Sequence, residues 1–157
     1  MLENLKIAET KHSVIIALNG AIIALALGFY KGGSGVVKYL NYLVLFFAGI
    51  SIIISFFALH SRSVNVKYKA KKYMDANLLY YKNLAEQTSE ELLKNIIKYY
   101  NFPSNYKIDN FDIDLSSTIV ANSKVARVKF AMFNTSTFFC VISIIFCIAM
   151  FLFSGAL

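Results

Sequence analysis

Proline occurs once in 157 residues, tryptophan not at all, and cysteine and histidine twice each. With Pro103 as the one helix breaker of its kind, little punctuates the helix-forming runs. Two cysteines are too few for a disulfide scaffold, and with two unclustered histidines they do not make a zinc module. Charge is scarce too: 16% of residues are Asp, Glu, Lys or Arg, against roughly a quarter in a soluble domain. At 57% hydrophobic the chain is too apolar to stay disordered, and it is too short for a large catalytic domain. A Ser/His/Asp set with local signatures, a P-loop, G-x-G-x-x-G and H-E-x-x-H are all missing. The expectation is a non-enzyme with no catalytic residue, no metal and no cofactor.

What the chain does have is long runs without charge. Spanning about 30 Å of hydrocarbon takes about 20 helical residues, and three windows qualify: between Lys11 and Lys31, between Lys38 and Arg62, and from Phe130 to Leu157. In lipid each must satisfy its own backbone and so should be α-helical. Lys31-Gly32-Gly33-Ser34-Gly35 reads as a tight connector that makes the first two an antiparallel hairpin. The expected fold is an all-α membrane protein: a tail at residues 1–12, a transmembrane helical hairpin at 13–59, a cytoplasmic helical insert at 60–129 and a C-terminal transmembrane helix at 130–157.

Orientation follows from the basic flanks. Lys6, Lys11, Arg62, Lys67, Lys69, Lys71, Lys72, Lys124, Arg127 and Lys129 lie on one side, against Lys31 and Lys38 on the other. Cytoplasmic flanks carry such an excess, which places the N-terminus and the insert in the cytoplasm and the C-terminus outside, in the periplasm or extracellular. The rival reading of the first span is a cleaved secretory signal, with Ala24-Leu25-Ala26 as its small-residue site. Glu3 and Glu9 spoil its positive leader and Asn19 interrupts its apolar stretch.

Gly20, Ala24 and Gly28, with Ala17 and Ala21 beside them, form a smooth strip on the first helix. Ser136, Cys140, Ser143, Cys147, Met150 and Ser154 form a stripe on the third, and Ala48, Ser51 and Ser55 a weaker one on the second. Small faces let helices approach closely in lipid. They either hold the three helices together within one chain or line contacts between subunits of a homo-oligomer. Asn19, Asn41 and Asn134 read as helix-to-helix hydrogen-bonding groups, Cys140 and Cys147 as small packing residues. His12 and His60 fall at the same ends of adjacent helices and could approach each other. No span has an interior charge, which argues against a proton relay or voltage sensor.

In the insert, Arg62 to Lys72 reads as a basic stem that touches lipid headgroups and continues as helix to about Glu86. Thr88-Ser89-Glu90-Glu91 reads as a capping box opening a helix from Ser89 to about Tyr100. A last helix starting near Asp112 or Ser116 could run unbroken for about 40 residues, a rod able to transmit a push. Its insert face is expected to be Leu115, Ile119, Asn122, Ala126 and Phe130. Lys124, Arg127 and Lys129 are either an inside-positive collar or, with Lys11 and Arg62, a site for an anionic partner or regulatory nucleotide.

Ala8-Glu9-Thr10-Lys11-His12-Ser13 at the first span, residues 77–96 (NLLYYKNLAEQTSEELLKNI), and Lys124, Arg127 and Lys129 entering the last span together resemble the transmembrane effector family of bacterial Pycsar antiphage systems. His12 stands where that family commonly has Ala, and its adjacent Arg-Lys cluster is here spread over six residues. The resemblance implies an inner-membrane effector that damages the membrane and halts growth. Its signal would be a cyclic pyrimidine mononucleotide (cCMP or cUMP) from a partner cyclase, and nucleic acid would not be a partner. An insert of about 70 helical residues falls short of a typical domain and lacks the β-roll of a self-contained cyclic-nucleotide module. Ligand binding would therefore need an oligomer seam or a partner chain. The competing reading is a passive membrane anchor that recruits a cytoplasmic partner.

Overall fold

The computed structural model describes residues 2–29, 35–60, 80–103 and 105–154. They form five helices: α1 (Leu2–Phe29), α2 (Gly35–His60), α3 (Tyr81–Leu84), α4 (Ser89–Tyr99) and α5 (Asn110–Ser154). No strand occurs among the described residues. Two compact units result, Met1–Lys6 with Ser61–Val128, and Ile7–His60 with Lys129–Leu157. The 45-residue α5 is continuous through both.

The larger unit is a bundle of α1, α2 and the C-terminal part of α5. Its buried positions step by four and three: Ala8, His12, Ile15, Asn19, Ile22 and Ala26 on α1; Val37, Asn41, Val44, Ala48, Ser51, Ser55 and Ala58 on α2; Ser136, Cys140, Ser143, Cys147 and Met150 on α5. That spacing keeps one seam of each helix facing its neighbours along the whole length. The surface is the reverse of a soluble bundle's. Leu18, Leu25, Phe46, Ile53, Phe56, Phe57, Phe138, Ile145 and Leu152 all point outward while serines and asparagines are enclosed. Water would penalise this distribution and lipid favours it. All three helices are long and apolar enough to cross a bilayer. The chain is thus an all-α, multi-pass membrane protein.

In the smaller unit, Leu84, Leu92 and Val120 form the core, with Ile96 and Ile119 packed on it. The capping box at the start of α4 is complete: the Thr88 hydroxyl accepts from the Glu91 amide at 3.2 Å and Glu91 Oε2 accepts from the Thr88 amide at 2.9 Å. Asn101, with φ of 50°, ends that helix in the left-handed region that Asn tolerates.

Three expectations are corrected here. The basic stem lies outside the described residues, but helix is not continuous up to Glu86: Tyr80 is extended (φ −73°, ψ 128°), and α3 is a single turn from Tyr81. Tyr80 is exposed and Leu84 buried, so the two do not share the face their spacing suggested. The last helix starts at Asn110, before Asp112, because Asp109 and Asp112 accept each other's backbone N–H at 2.9 and 3.1 Å. This second reciprocal box is built from two aspartates. Its insert face is also rotated by about one residue. Ser116, Val120, Ser123 and Ala126 are buried while Leu115 is exposed, and both serine hydroxyls are satisfied on their own helix, by the Ile113 and Ile119 carbonyls, so enclosing them requires no outside partner.

Tyr106 Oη donates to Asp112 Oδ2 at 2.8 Å. That bond, and then the Asp109 amide, hold the Asp112 carboxyl below the usual carboxylate range, while the same bond pushes the Tyr106 hydroxyl up. A lowered carboxylate favours the folded helix start at any pH above its ordinary titration range and loses that contribution as pH falls through the depressed value. Tyr106→Phe should therefore move the Asp112 carboxyl resonance to a higher titration midpoint in carbon NMR. An unchanged midpoint would leave the aspartate box as the sole cause.

Candidate functional site

One end of the bundle carries a cluster of ionic groups. Lys129, on α5, is 3% exposed although it is a lysine, and its Nζ lies 2.6 Å from Glu9 Oε1 on α1. One helical turn along α1, His12 is fully buried and its Nε2–H donates to the Lys129 carbonyl at 3.0 Å. This puts the proton on Nε2 and leaves Nδ1 a buried acceptor with no partner among the described residues. The imidazole edge meets the Phe133 ring at 5.7 Å. Beside it the Lys11 ammonium lies over the rings of Phe130 and Phe133 at 5.4 and 5.3 Å, close enough for cation–π attraction. α1 and α5 are thus tied by an ion pair, a histidine bond and three ring contacts within two turns.

Deeper in the bundle the ties become neutral. Asn19 Nδ2 donates to Ser51 Oγ on α2 at 2.9 Å, and also to the Ile15 carbonyl of its own helix at 2.8 Å. Ser51 Oγ passes the chain on to the Ser136 carbonyl of α5 at 2.7 Å, so one relay joins all three helices. Toward the other end Asn41 Nδ2 donates to the Ala26 carbonyl at 2.6 Å. The amide oxygens of Asn19 and Asn41 and the Ser55 hydroxyl are buried without partners among the described residues. Past Asn41 the interior turns apolar: Val37 and Met150 are buried and the Phe29 and Phe151 rings meet edge to face at 4.5 Å.

A sequence model of PycTM, the Pycsar effector protein domain, matches residues 1–155. The chain belongs to this family. As a Pycsar effector it is a transmembrane effector of cyclic-nucleotide antiphage signalling. Comparison with curated proteins and with solved structures returns no match.

The residues singled out in this Pycsar effector fall in different places. Lys124 and Arg127 lie one turn apart on α5 in the smaller unit, both half-buried, and Arg127 Nη1 is 2.7 Å from Glu86 Oε1. Lys11 is in the bundle, engaged with the phenylalanine rings, and Arg62 lies outside the described residues. Ser143 and Cys147 are inside the bundle, whereas Gly20, Ala24 and Gly28 are on its outer surface. The strip on α1 is therefore not what packs α1 against α2 and α5. That seam is instead made by the residues from Ala8 to Ala26 that alternate with the strip, because α1 turns its amide and imidazole inward.

His12 and His60 do not pair: His12 faces α5 and His60 is exposed. Asn134 is exposed as well, unlike Asn19 and Asn41. The functional residue that sequence reading missed is Lys129 as the buried partner of Glu9. Both were noticed separately, at the starts of the first and third spans, and opposite charges at equal depth on two helices were the available signal.

Proposed function

We propose that this effector sits in the bacterial inner membrane as a homo-oligomer, N-terminus and insert cytoplasmic. When a partner cyclase raises a cyclic pyrimidine mononucleotide, cCMP or cUMP, the assembly breaches the membrane and growth stops. The chain acts without catalysis, by rearrangement. What carries this reading is the conjunction of a family match over residues 1–155 with a membrane bundle whose enclosed seam includes amides and hydroxyls without partners among the described residues. For its helices to part, the Glu9–Lys129 pair, the His12 bond, the Asn19–Ser51–Ser136 relay and the Asn41 bond have to be exchanged. Lys124 and Arg127 are the cations we assign to the ligand's phosphate, Arg127 by exchanging Glu86 for it. The test is uptake of a membrane-impermeant dye by cells that express the chain with a pyrimidine cyclase. Dye entry before loss of viability supports a breach, and an intact barrier in dying cells overturns it.

The anchor reading fares less well, because the apolar side of α4 is already spent: Leu92 is fully buried and Ile96 packs on the same core. For the oligomer, Gly20 and Gly28 offer a clean experiment. A methyl built on either meets nothing within 4 Å, so Gly20→Leu and Gly28→Leu are accommodated by the single chain. If the strip is a subunit seam, either should lower association by about tenfold or more in crosslinking or sedimentation in detergent. Unchanged association would remove the strip from the assembly.

A further inference from the structure

The interior of the bundle changes character along its length in a way that neither packing nor a membrane anchor requires. From the His12 and Lys129 end to Asn41, the enclosed faces alternate apolar side chains such as Ile15, Ile22 and Val44 with amides and hydroxyls and, on α5, two thiols, and two amide oxygens and a hydroxyl there have no partner among the described residues. Beyond Asn41, four apolar side chains, Phe29, Val37, Met150 and Phe151, fill the remaining section. A hydrophobic constriction in series with a polar lining is the arrangement that gates by dewetting: water enters the polar part readily and stops where no hydrogen-bonding group remains.

Resting on the breaching role proposed above, we infer that the seam between α1, α2 and α5 is itself the path. It carries water and small monovalent cations when the helices part, and the Phe29–Val37–Met150–Phe151 collar is its closed gate. The class of permeant follows from the donor set. Asn19 Oδ1 and Asn41 Oδ1 are unpaired, neutral oxygen acceptors, which suit water and weakly held cations. They offer nothing to a large organic anion. At the opposite end the Lys129 charge is met by Glu9, and the Lys11 ammonium is drawn against the Phe130 and Phe133 rings. A second consequence is that lipid-facing side chains stay in lipid during the event.

The two natural cysteines report on this without any substitution, since Cys140 and Cys147 lie on the seam at 2% and 7% exposure. The full chain is reconstituted in vesicles loaded with potassium, and cCMP and cUMP are the added probes. Potassium release is followed together with labelling by a charged methanethiosulfonate, sites being resolved by mass spectrometry. Only a thiolate in water reacts, so opening should speed labelling of Cys140 and Cys147 by roughly tenfold or more. Cysteines added one residue along, Val141→Cys and Ile148→Cys, occupy outward positions and should not follow.

Potassium release without labelling of Cys140 and Cys147, or with preferential labelling at 141 and 148, overturns the path and leaves the breach standing. Failure of both nucleotides to release potassium overturns both. A paired Phe29→Ala, Phe151→Ala chain should leak potassium without nucleotide, and a tight barrier in that chain counts against the collar.

Discussion

Leu92→Ala should cost the smaller unit most of its stability. Leu92 is fully buried and, among the described residues, shares its core with Leu84 and Val120, edged by Ile96 and Ile119. Removing three carbons from such a site costs about 2–5 kcal/mol by lost transfer energy and by the cavity left. Hydrogen exchange on the detergent-solubilised full chain would read the loss by segment. Amides of α4 should lose nearly all protection, while those of α2, whose buried face runs from Val37 to Ala58, keep theirs. Wild-type protection in α4 would mean that α4 is held by contacts other than this core.

The second large effect is an asymmetry. Glu9→Ala leaves the Lys129 ammonium enclosed, its side chain 4% exposed, without its ion-pair partner. Stranding a buried charge costs several kcal/mol, reduced here to about 2 kcal/mol because Glu9 is itself half exposed and water can reach its place. Lys129→Met removes the charge and keeps the length. The glutamate it frees faces solvent, and the His12 bond survives because it uses the Lys129 carbonyl. That change should cost less than about 1 kcal/mol. Thermal unfolding in detergent should therefore rank Glu9→Ala well below Lys129→Met, with the double variant close to Lys129→Met. Equal losses would show that the pair is held by water rather than by burial.

Which parts of this were legible in the sequence follows from the physics of each signal. Span number came from charge-free runs, because lipid excludes charge regardless of tertiary detail. The α4 start was legible because the Thr88 and Glu91 box is local in the chain, and the seam of α5 because Ser136 to Met150 repeat by four and three. The seam of α1 was not legible. In lipid both a glycine strip and an amide strip are candidates for helix contact, and choosing between them depends on what α2 and α5 present: Ser51 and the Ser136 carbonyl. The inward turn of Ser116 and Ser123 was hidden for a similar reason, since a serine in a half-polar helix looks solvent-facing until a neighbour comes close. His12 looked interfacial because its acceptor, a backbone carbonyl 117 residues away, leaves no mark in composition.

The Asn19 to Ser51 to Ser136 relay also sets an order of biogenesis. α1 and α2 emerge from the ribosome first, and the oxygen that completes their relay belongs to a helix whose bundle section starts at Lys129. The stretch between them takes on the order of 4 to 14 seconds to translate at ordinary speeds. For that interval the nascent hairpin holds the Ser51 hydroxyl without its acceptor, so the insertion machinery has to shelter it until the last helix arrives.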